Sequence, residues 1–347
     1  IAALAGQILM AALWAFLAHK WYFHVFPAQD TAVIYDVRQG MEKLIGKYDL
    51  DDKYHVVLTA SAAKCVEDLS MLDGVSTVFC SGIHSHERNM ILKYCIAKNI
   101  NVFVVPRIGD TIMSGAYHMH MFHLPMLRVA RYMAKPEYLF VKRAMDIVVS
   151  LIALVVLSPV FLVTAIAIKA TDHGPVFYKQ TRLTKDGNTF GILKFRSMRV
   201  DAEKDGVARL AAKNDSRITP VGKFIRAVRI DELPQLFNIL KGEMSFIGPR
   251  PERPQIIREY IEEMPEFAYR TRVKAGLAGY AQVYGKYNTT PYDKLKLDLF
   301  YIENYSVWLD LKLMLLTLKI LFTPDSTEGV DEKQVTAMKK QVQEEEK

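Results

Sequence analysis

Apolar and polar positions follow two different rhythms between residues 31 and 106. Short, almost continuous apolar runs alternate with segments in which apolar residues recur every three or four positions. Runs of the first kind are typical of strands buried on both faces of a parallel sheet, and segments of the second kind are typical of the helices that cover it. The pattern predicts four strands: TAVIYD, HVVLTA, STVFCS and NVFVVP. We therefore expect a parallel α/β domain over residues 30–130.

This predicted domain is Rossmann-like, but its first strand–helix turn lacks the usual nucleotide signature. The turn reads YDVRQG, so Gly40 stands alone where dinucleotide-binding domains carry G-x-G-x-x-G. The three glycines of that signature let the backbone approach a pyrophosphate closely. Tight dinucleotide binding is therefore not expected, and the domain is interpreted as structural or regulatory.

A first long apolar run opens the chain. It carries no Asp, Glu, Lys or Arg before Lys20, and Trp21 and Tyr22 follow at the position where a helix would leave a bilayer. The run predicts a transmembrane helix over residues 1–25, with a buried core helix as the alternative. Because the chain begins inside this run, we expect it to be part of a longer protein.

A second apolar run fills residues 147–168 without a charge. A straight helix of this length would measure about 33 Å, enough to span a bilayer. Ser158 and Pro159 interrupt it, and proline kinks a helix while a serine hydroxyl can bond a freed backbone group. The segments on both sides are basic, and basic segments prefer the cytosolic side. The prediction is a re-entrant helix over 143–170, with a full span as the alternative.

The charge and composition of the chain indicate which classes of binding partner to expect. The net charge of +7 and the pI of about 9.0 suit nucleotides, lipid phosphates or an anionic membrane surface, whereas no nucleic-acid-binding motif accompanies them. The cysteines are few and unclustered, which predicts free thiols in a reduced compartment. Three histidines have metal-like spacing but no acidic or thiol neighbour, so surface histidines are expected: His118, His120 and His123.

A hairpin and a charged tail complete the second half. Asp186-Gly187 between two β-rich segments predicts a hairpin. The hairpin ends in Lys194-Phe195-Arg196, which is consistent with phosphate contact or with a solvated basic strand. The apolar helix predicted near residues 306–322 could lie in a membrane interface or in the core, and the charged tail 324–347 is expected to be mobile or partner-binding.

The strongest chemical signal is the adjacent pair Asp231 and Glu232. Two neighbouring carboxylates are costly to ionise together unless a divalent cation or an arginine compensates them. Arg250 follows in the Gly-Pro-Arg-Pro turn, and Arg226 belongs to a row of cations spaced by three residues that leads to Asp231. This row would hold Asp231 ionised and bind phosphate, or it would simply pair with Glu232. The combination predicts phosphoryl-group chemistry.

Residues 139–323 resemble the bacterial sugar transferase domain of the monotopic phosphoglycosyl transferases. The resemblance rests on motifs in a fixed order: KR-x-x-D before a Ser-Pro-broken apolar run, GPVF, KFRSM, DELPQLFNILKGEMSFIGPRP, AGLAGYAQVYGK and D-x-x-Y-x-x-N-x-S. With the preceding helix and Rossmann-like domain, the chain is similar to the long membrane-anchored members that use galactose- or glucose-1-phosphate. The expected fold is an α/β membrane protein with a mainly helical catalytic domain and interfacial amphipathic helices.

The resemblance implies roles for particular residues. Asp231 would be the nucleophile and Glu232 the ligand of Mg²⁺, which Asp298 could share. The residues implied to contact phosphate or nucleotide are Arg226, Arg250, Lys194, Arg196 and Gln282. Ser158 and Pro159 would form the break of the re-entrant helix. Departures from the family pattern at Arg229, Ile230, Tyr284, Lys286 and Tyr292 leave the nucleotide-sugar preference open.

The implied reaction transfers a sugar-1-phosphate from a UDP-sugar to undecaprenyl phosphate and releases UMP. It would take place at the cytoplasmic face of the bacterial inner membrane, as the first membrane step of exopolysaccharide, capsule or lipopolysaccharide O-antigen synthesis. The sequence leaves the sugar and any homo-oligomer open. Two rivals remain: a non-catalytic scaffold or regulator of polysaccharide export, and a nucleotide-sugar dehydratase or epimerase, suggested by Tyr292-x-x-x-Lys296.

Overall fold

The computed structural model describes residues 2–36, 40–129, 134–200, 202, 215, 217–285 and 289–321. Its residues form two compact units that divide between Arg107 and Ile108. The predicted charged tail 324–347 and Lys286 lie outside the described residues.

The first unit contains the predicted parallel sheet. Its strands are β1 (Gln29–Tyr35), β2 (Tyr54–Ser61), β3 (Thr77–Ser81) and β4 (Asn101–Val105). Its helices are α1 (Ala2–Val25), α2 (Met41–Lys47), α3 (Ala62–Glu67) and α4 (Ser85–Ala97), with a 3₁₀ turn at Leu69–Leu72. The strand order is β2-β1-β3-β4 and every pairing is parallel, which confirms the prediction from the apolar runs.

Alternate residues of β1 enter two different cores. Ala32 and Ile34 pack with residues of α3 and α4, whereas Val33 packs on the opposite face with Ile45 of α2 and with Tyr54. The first core also encloses three free thiols: Cys65, Cys80 and Cys95. Burial raises the pKa of Cys65 and Cys95 to about 11 and that of Cys80 to about 12, so these thiols stay protonated.

The second unit is mainly helical. Its helices are α5 (Ile108–Ser114), α6 (Pro136–Val156), α7 (Ser158–Asp172), α8 (Pro220–Ala227), α9 (Gln235–Lys241), α10 (Pro254–Glu263), α11 (Tyr280–Tyr284), α12 (Pro291–Glu303) and α13 (Val307–Leu321). Its strands are β5 (Tyr117–Met121), β6 (Leu124–Arg128), β7 (Phe177–Leu183), β8 (Thr189–Phe195), β9 (Ser245–Ile247) and β10 (Gly276–Ala278). Further 3₁₀ turns lie at Lys185–Gly187, Ile230–Glu232 and Pro265–Arg272.

The division between the units lies earlier than the predicted domain end at residue 130. The reason is that α5 packs against α12, and the β5–β6 hairpin also belongs to the second unit. The three histidines with metal-like spacing lie on this exposed hairpin. Across the described ranges, no group of three or more His, Cys, Asp or Glu side chains is arranged to hold a metal ion.

The predicted break at Ser158-Pro159 is present. The axes of α6 and α7 bend by 62° there, and the Ser158 hydroxyl donates to the Val155 carbonyl oxygen at 2.8 Å. No single helix in the described part of the chain is long and apolar enough to cross a membrane, whereas the bent α6–α7 pair meets the same criteria of length and composition. The transmembrane helix expected over residues 1–25 stays a prediction.

Helix α6 buries its polar side chains and exposes its apolar ones. It begins at Pro136, earlier than the predicted start at 143, with proline in its first turn. Its residues Lys142 and Asp146 face the interior. The Lys142 amine donates to Asp310 Oδ2 at 2.9 Å, and Asp146 Oδ1 accepts from the Phe246 amide at 2.9 Å. The exposed apolar residues of the bent pair are Leu139, Phe140, Val141, Val148, Leu151, Ile152, Val155, Val156, Leu162, Val163 and Ile166. Such an inverted surface is typical of contact with an apolar environment.

The last two helices differ in their surroundings. Helix α12 is a core helix, with Leu295, Leu299 and Ile302 fully buried. Helix α13 buries Leu313 but leaves Trp308 77% exposed, so one of its faces is available to solvent or lipid. The interfacial position expected for α13 stays a prediction.

Candidate active site

Asp231 and Glu232 lie in a 3₁₀ turn between α8 and α9. Arg229, just before this turn, has a φ of 56°, a left-handed conformation that costs a non-glycine residue about 1 kcal/mol or more. Ile230 and Leu233, which flank the two carboxylates, pack against a cluster built from α7, β8 and α8. The turn is therefore fixed to the second half of the bent helix pair.

Glu232 is held by two cations. Its Oε1 accepts from Arg250 Nη2 at 2.6 Å and from Lys194 Nζ at 3.2 Å. Lys194 follows Phe190 and Ile192 along the face of β8 that packs against α9, so its amine reaches the turn that precedes α9. Burial alone would raise the pKa of Glu232, but Arg250 and Lys194 outweigh it and hold this pKa well below its usual range.

Asp231 has a different environment. Its carboxylate accepts no hydrogen bond from any described residue. Burial and then the Glu232 charge raise its pKa above the usual value, against the opposing influence of Lys194 and Arg226. That the cationic row holds Asp231 ionised stays a prediction. The dyad contains one carboxylate that two cations hold and one that accepts no hydrogen bond from the described residues.

The Gly-Pro-Arg-Pro turn is positioned by a close approach of two backbones. A Cβ on Gly276 would lie 2.1 Å from the Gly248 nitrogen, so only glycine fits there. The Gly276 amide donates to the Pro249 carbonyl oxygen at 2.9 Å, and the Gly248 amide donates to Ala278 at 2.9 Å. The glycine-containing β10 segment thereby supports the loop that presents Arg250.

A buried ionic cluster lies behind this loop. Glu252 pairs with Arg182 at 3.6 Å, with Arg270 at 4.0 Å and with Lys294. Burial raises the pKa of Glu252, but Lys294 and Arg270 overcome that effect and lower it to about 2. Asp298, which is 1% exposed, accepts from Arg270 Nε at 2.7 Å. Within the described residues Asp298 does not join the dyad in a metal-ligand group, and its metal role stays a prediction.

Three further predicted residues occupy separate positions. Arg226 lies in the last turn of α8, close enough to influence Asp231. Arg196 is buried, and its guanidinium packs against Gly174. Gln282 donates from Nε2 to the Leu277 carbonyl oxygen at 3.1 Å. Their contacts with substrate stay predictions.

The sequence reasoning missed Arg182, Glu252 and Arg270. Glu252 had a usable signal, because it directly follows the Pro-Arg-Pro turn. The two arginines had no such signal. In the fold, Arg182 bonds to Pro251, 69 residues away along the chain, and Arg270 bonds to Arg250, 20 residues away. Only the folded chain brings them together.

The Tyr292 and Lys296 pair has a structural explanation. Both residues lie on α12 in the second unit, where the Lys296 amine is 4.9 Å from the Tyr292 ring centroid and pairs with Asp293 at 2.9 Å. The parallel sheet that a dehydratase would use for its cofactor lies in the first unit.

Comparison with known proteins identifies the family of this chain. The sequence model of the family described as bacterial sugar transferase matches residues 137–324, more than half of the chain. The chain belongs to this family.

Three named relatives show how the similarity is distributed. The chain is 39% identical over 240 residues to a UDP-N-acetylgalactosamine-undecaprenyl-phosphate N-acetylgalactosaminephosphotransferase of Aeromonas hydrophila, covering 68% of this chain and 56% of that protein. It is 44% identical over 181 residues to a UDP-glucose:undecaprenyl-phosphate glucose-1-phosphate transferase of Klebsiella pneumoniae, covering 51% and 39%. A protein of the same name from Escherichia coli is 38% identical over 210 residues, covering 59% and 43%. The chain thus spans about half the length of these relatives, or less.

Proposed function

We propose that this protein is a phosphoglycosyl transferase that moves a sugar-1-phosphate from a UDP-sugar to undecaprenyl phosphate, giving undecaprenyl-diphosphate-sugar and UMP. Family membership supports the class of enzyme, and the names of the relatives support the donor and acceptor. Those relatives differ in their sugar, so the sugar is left to experiment.

The observation that carries the proposal is the unequal dyad. A nucleophilic carboxylate needs unshared lone pairs, and Asp231 accepts no hydrogen bond from the described residues, whereas Arg250 and Lys194 hold Glu232. A raised pKa makes the ionised Asp231 carboxylate a more basic nucleophile, and a bound cation would favour that ionised form.

The proposed reaction has two displacements at one phosphorus. An Asp231 oxygen bonds to the phosphorus that carries the sugar while the diphosphate bridge breaks and UMP leaves with the bridging oxygen. An oxygen of the lipid phosphate then bonds to the same phosphorus, and the Asp231 carboxylate leaves unchanged. Arg226 and Arg250 would bind phosphate oxygens during both steps. Ping-pong kinetics are expected.

A site at the membrane surface suits this pair of substrates. The donor is soluble, while the lipid acceptor is confined to the bilayer. The dyad turn packs on α7, whose outer face exposes apolar side chains. We propose that the α6–α7 pair enters and leaves the cytoplasmic leaflet of the inner membrane, which keeps both flanking basic segments on the cytosolic side. The pathway would be the first membrane step of exopolysaccharide, capsule or lipopolysaccharide synthesis.

The residues present fit a divalent cation. Mg²⁺ prefers oxygen ligands and commonly uses one or two carboxylates together with substrate phosphates. Glu232 Oε2 accepts no hydrogen bond from the described residues, so Glu232 could hold the ion. When bound, Mg²⁺ would neutralise the charge of the donor's diphosphate.

UMP release by the purified protein tests the proposal. We expect release from at least one of a panel of UDP-sugars in the presence of undecaprenyl phosphate, and loss of roughly 10³-fold or more in kcat for Asp231→Asn and Glu232→Gln. Asp186→Asn at the hairpin turn is the matched control, because asparagine tolerates the left-handed φ of 57° at this position. Full activity of Asp231→Asn would overturn the role of Asp231 as nucleophile, and no UMP from any donor would favour the non-catalytic scaffold.

A further inference from the structure

Arg270 links the core of the second unit to the loop that carries Arg250. It is 3% exposed and lies in the 3₁₀ segment Pro265–Arg272, with its guanidinium 4.7 Å from the Phe267 ring centroid. Its Nε donates to Asp298 Oδ2 at 2.7 Å, and its Nη2 donates to the Arg250 carbonyl oxygen at 3.2 Å. The planar fork of a guanidinium has fixed geometry, so this one side chain sets the distance between α12 and the Arg250 backbone.

Four consecutive carbonyl groups of the loop accept hydrogen bonds from outside it. The Pro249 oxygen accepts from the Gly276 amide at 2.9 Å, and the Pro251 oxygen accepts from Arg182 Nη1 at 3.1 Å. The Glu252 oxygen accepts from the Leu183 amide at 3.1 Å. Arg270 supplies the fourth bond, at Arg250 itself. Since prolines fix φ on both sides of Arg250, its backbone has little remaining freedom.

Stability alone does not explain the buried ion pair of Arg270 with Asp298. Both side chains are almost fully buried, and removing two charges from water costs several kcal/mol per ion, which their attraction only partly offsets. An apolar pair of similar volume would stabilise the core as well. The arrangement makes physical sense if it directs the remaining donors of Arg270 to a particular place, and that place is the Arg250 carbonyl.

We propose that Arg270 is a positioning residue for the transfer reaction, which fixes the backbone of Arg250 so that the Arg250 side chain holds Glu232 in place. The kinetic part of this inference rests on the proposed function. Arg270 itself touches neither carboxylate of the dyad in the described contacts, and it acts through Arg250.

The test compares Arg270→Gln and Arg270→Lys with the wild type in the full chain, reconstituted in lipid. Arg270→Gln should lower kcat for UMP release by roughly 10²-fold, the size of effect expected when a reacting group is misplaced by about 1 Å. Arg270→Lys keeps a charge beside Asp298 but cannot also reach the Arg250 carbonyl. It should therefore recover thermal stability while kcat stays low, which a merely structural residue would not show.

Arg272→Gln is the matched control, because Arg272 belongs to the same segment but pairs with Glu303 at 3.4 Å. Its kcat should stay within about twofold of the wild type.

Two outcomes separate this inference from the proposed function. If the wild type releases UMP and both Arg270 variants keep its kcat, the positioning role is wrong and the transferase stands. If the wild type releases no UMP, hydrogen exchange still decides the structural part. The amides of Arg250 and Glu252 should exchange faster in Arg270→Lys than in Arg272→Gln, and equal exchange would overturn the inference.

Discussion

The two units of this protein are held together in different ways. The first unit buries apolar side chains and neutral thiols between a parallel sheet and its helices. The second unit also has apolar clusters, but in addition it buries ion pairs, among them Lys142 with Asp310 and Arg270 with Asp298. Apolar burial is non-directional, whereas a buried ion pair is strong only in one geometry. The contrast suggests that the first unit needs only to be stable, while the second must hold loops at defined positions.

The largest predicted effect comes from breaking the ion pair that fixes α6. Asp310 is fully buried and accepts from Lys142 and from the hydroxyls of Tyr138 and Tyr301. Asp310→Asn leaves the Lys142 charge uncompensated and should cost about 3–5 kcal/mol. Hydrogen exchange of α6 and α13 peptides measures the loss. The double variant Lys142→Met/Asp310→Leu should recover part of it, and a cost below about 1 kcal/mol would show that the pair behaves like an exposed one.

Acid should destabilise the second unit through Glu252. Its folded pKa of about 2 lies below its ordinary value of 4.5, so the unfolded state binds the proton more readily. The stabilisation is complete above pH 4.5 and is lost as the pH falls toward 2, by about 3 kcal/mol in total. Unfolding measured across this window should depend less on pH in Glu252→Gln. The exposed Glu262→Gln should retain the wild-type dependence, and an unchanged slope in Glu252→Gln would contradict the charge assignment.

The first unit should respond to volume instead of charge. Ile91 is fully buried against the sheet, and Ile91→Val should cost about 1 kcal/mol without changing UMP release. Hydrogen exchange in β3 and α4 would report it. Ile96 on the same helix is 71% exposed, so Ile96→Val should be almost neutral. Equal effects at the two positions would argue against the apolar core described for this unit.

The smallest effect is expected at the bend. Ser158→Ala removes one hydrogen bond, to the Val155 carbonyl, and should cost about 0.5 kcal/mol in lipid-reconstituted protein. Pro159 alone should maintain the bend, so UMP release is expected to stay near the wild-type rate. A large loss of activity in this variant would mean that the hydroxyl does more than satisfy the helix backbone.

The contrast between the units also explains what the sequence could predict. The four strands, the Asp186-Gly187 hairpin and the Ser158-Pro159 break all follow from local patterns, and all three are present. Asp231 and Glu232 were identified because they are adjacent in sequence. The opposite directions of their pKa changes were not predicted from the sequence, because they depend on Lys194 and Arg250, which approach from distant segments.

Lys142 and Asp146 also show what a local sequence pattern does not predict. Lys142 and Asp146 precede an apolar run, so the sequence suggested that they flank a membrane segment. In the fold they point inward and bind β9 and α13, and the apolar residues point outward. Hydropathy alone does not distinguish a flanking charge from one that faces the protein, because both stand at the end of an apolar run.

Trapping of the sugar phosphate on the protein is the direct test of the proposed covalent intermediate at Asp231. The purified protein would be incubated with a UDP-sugar labelled at the sugar-linked phosphorus, without lipid acceptor, and then denatured. We expect label on a peptide containing Asp231, release of UMP in equal amount, and no label in Asp231→Asn. Addition of undecaprenyl phosphate should discharge the label. Label that persists in Asp231→Asn, or UMP release that requires both substrates with no labelled protein, would contradict the proposed intermediate.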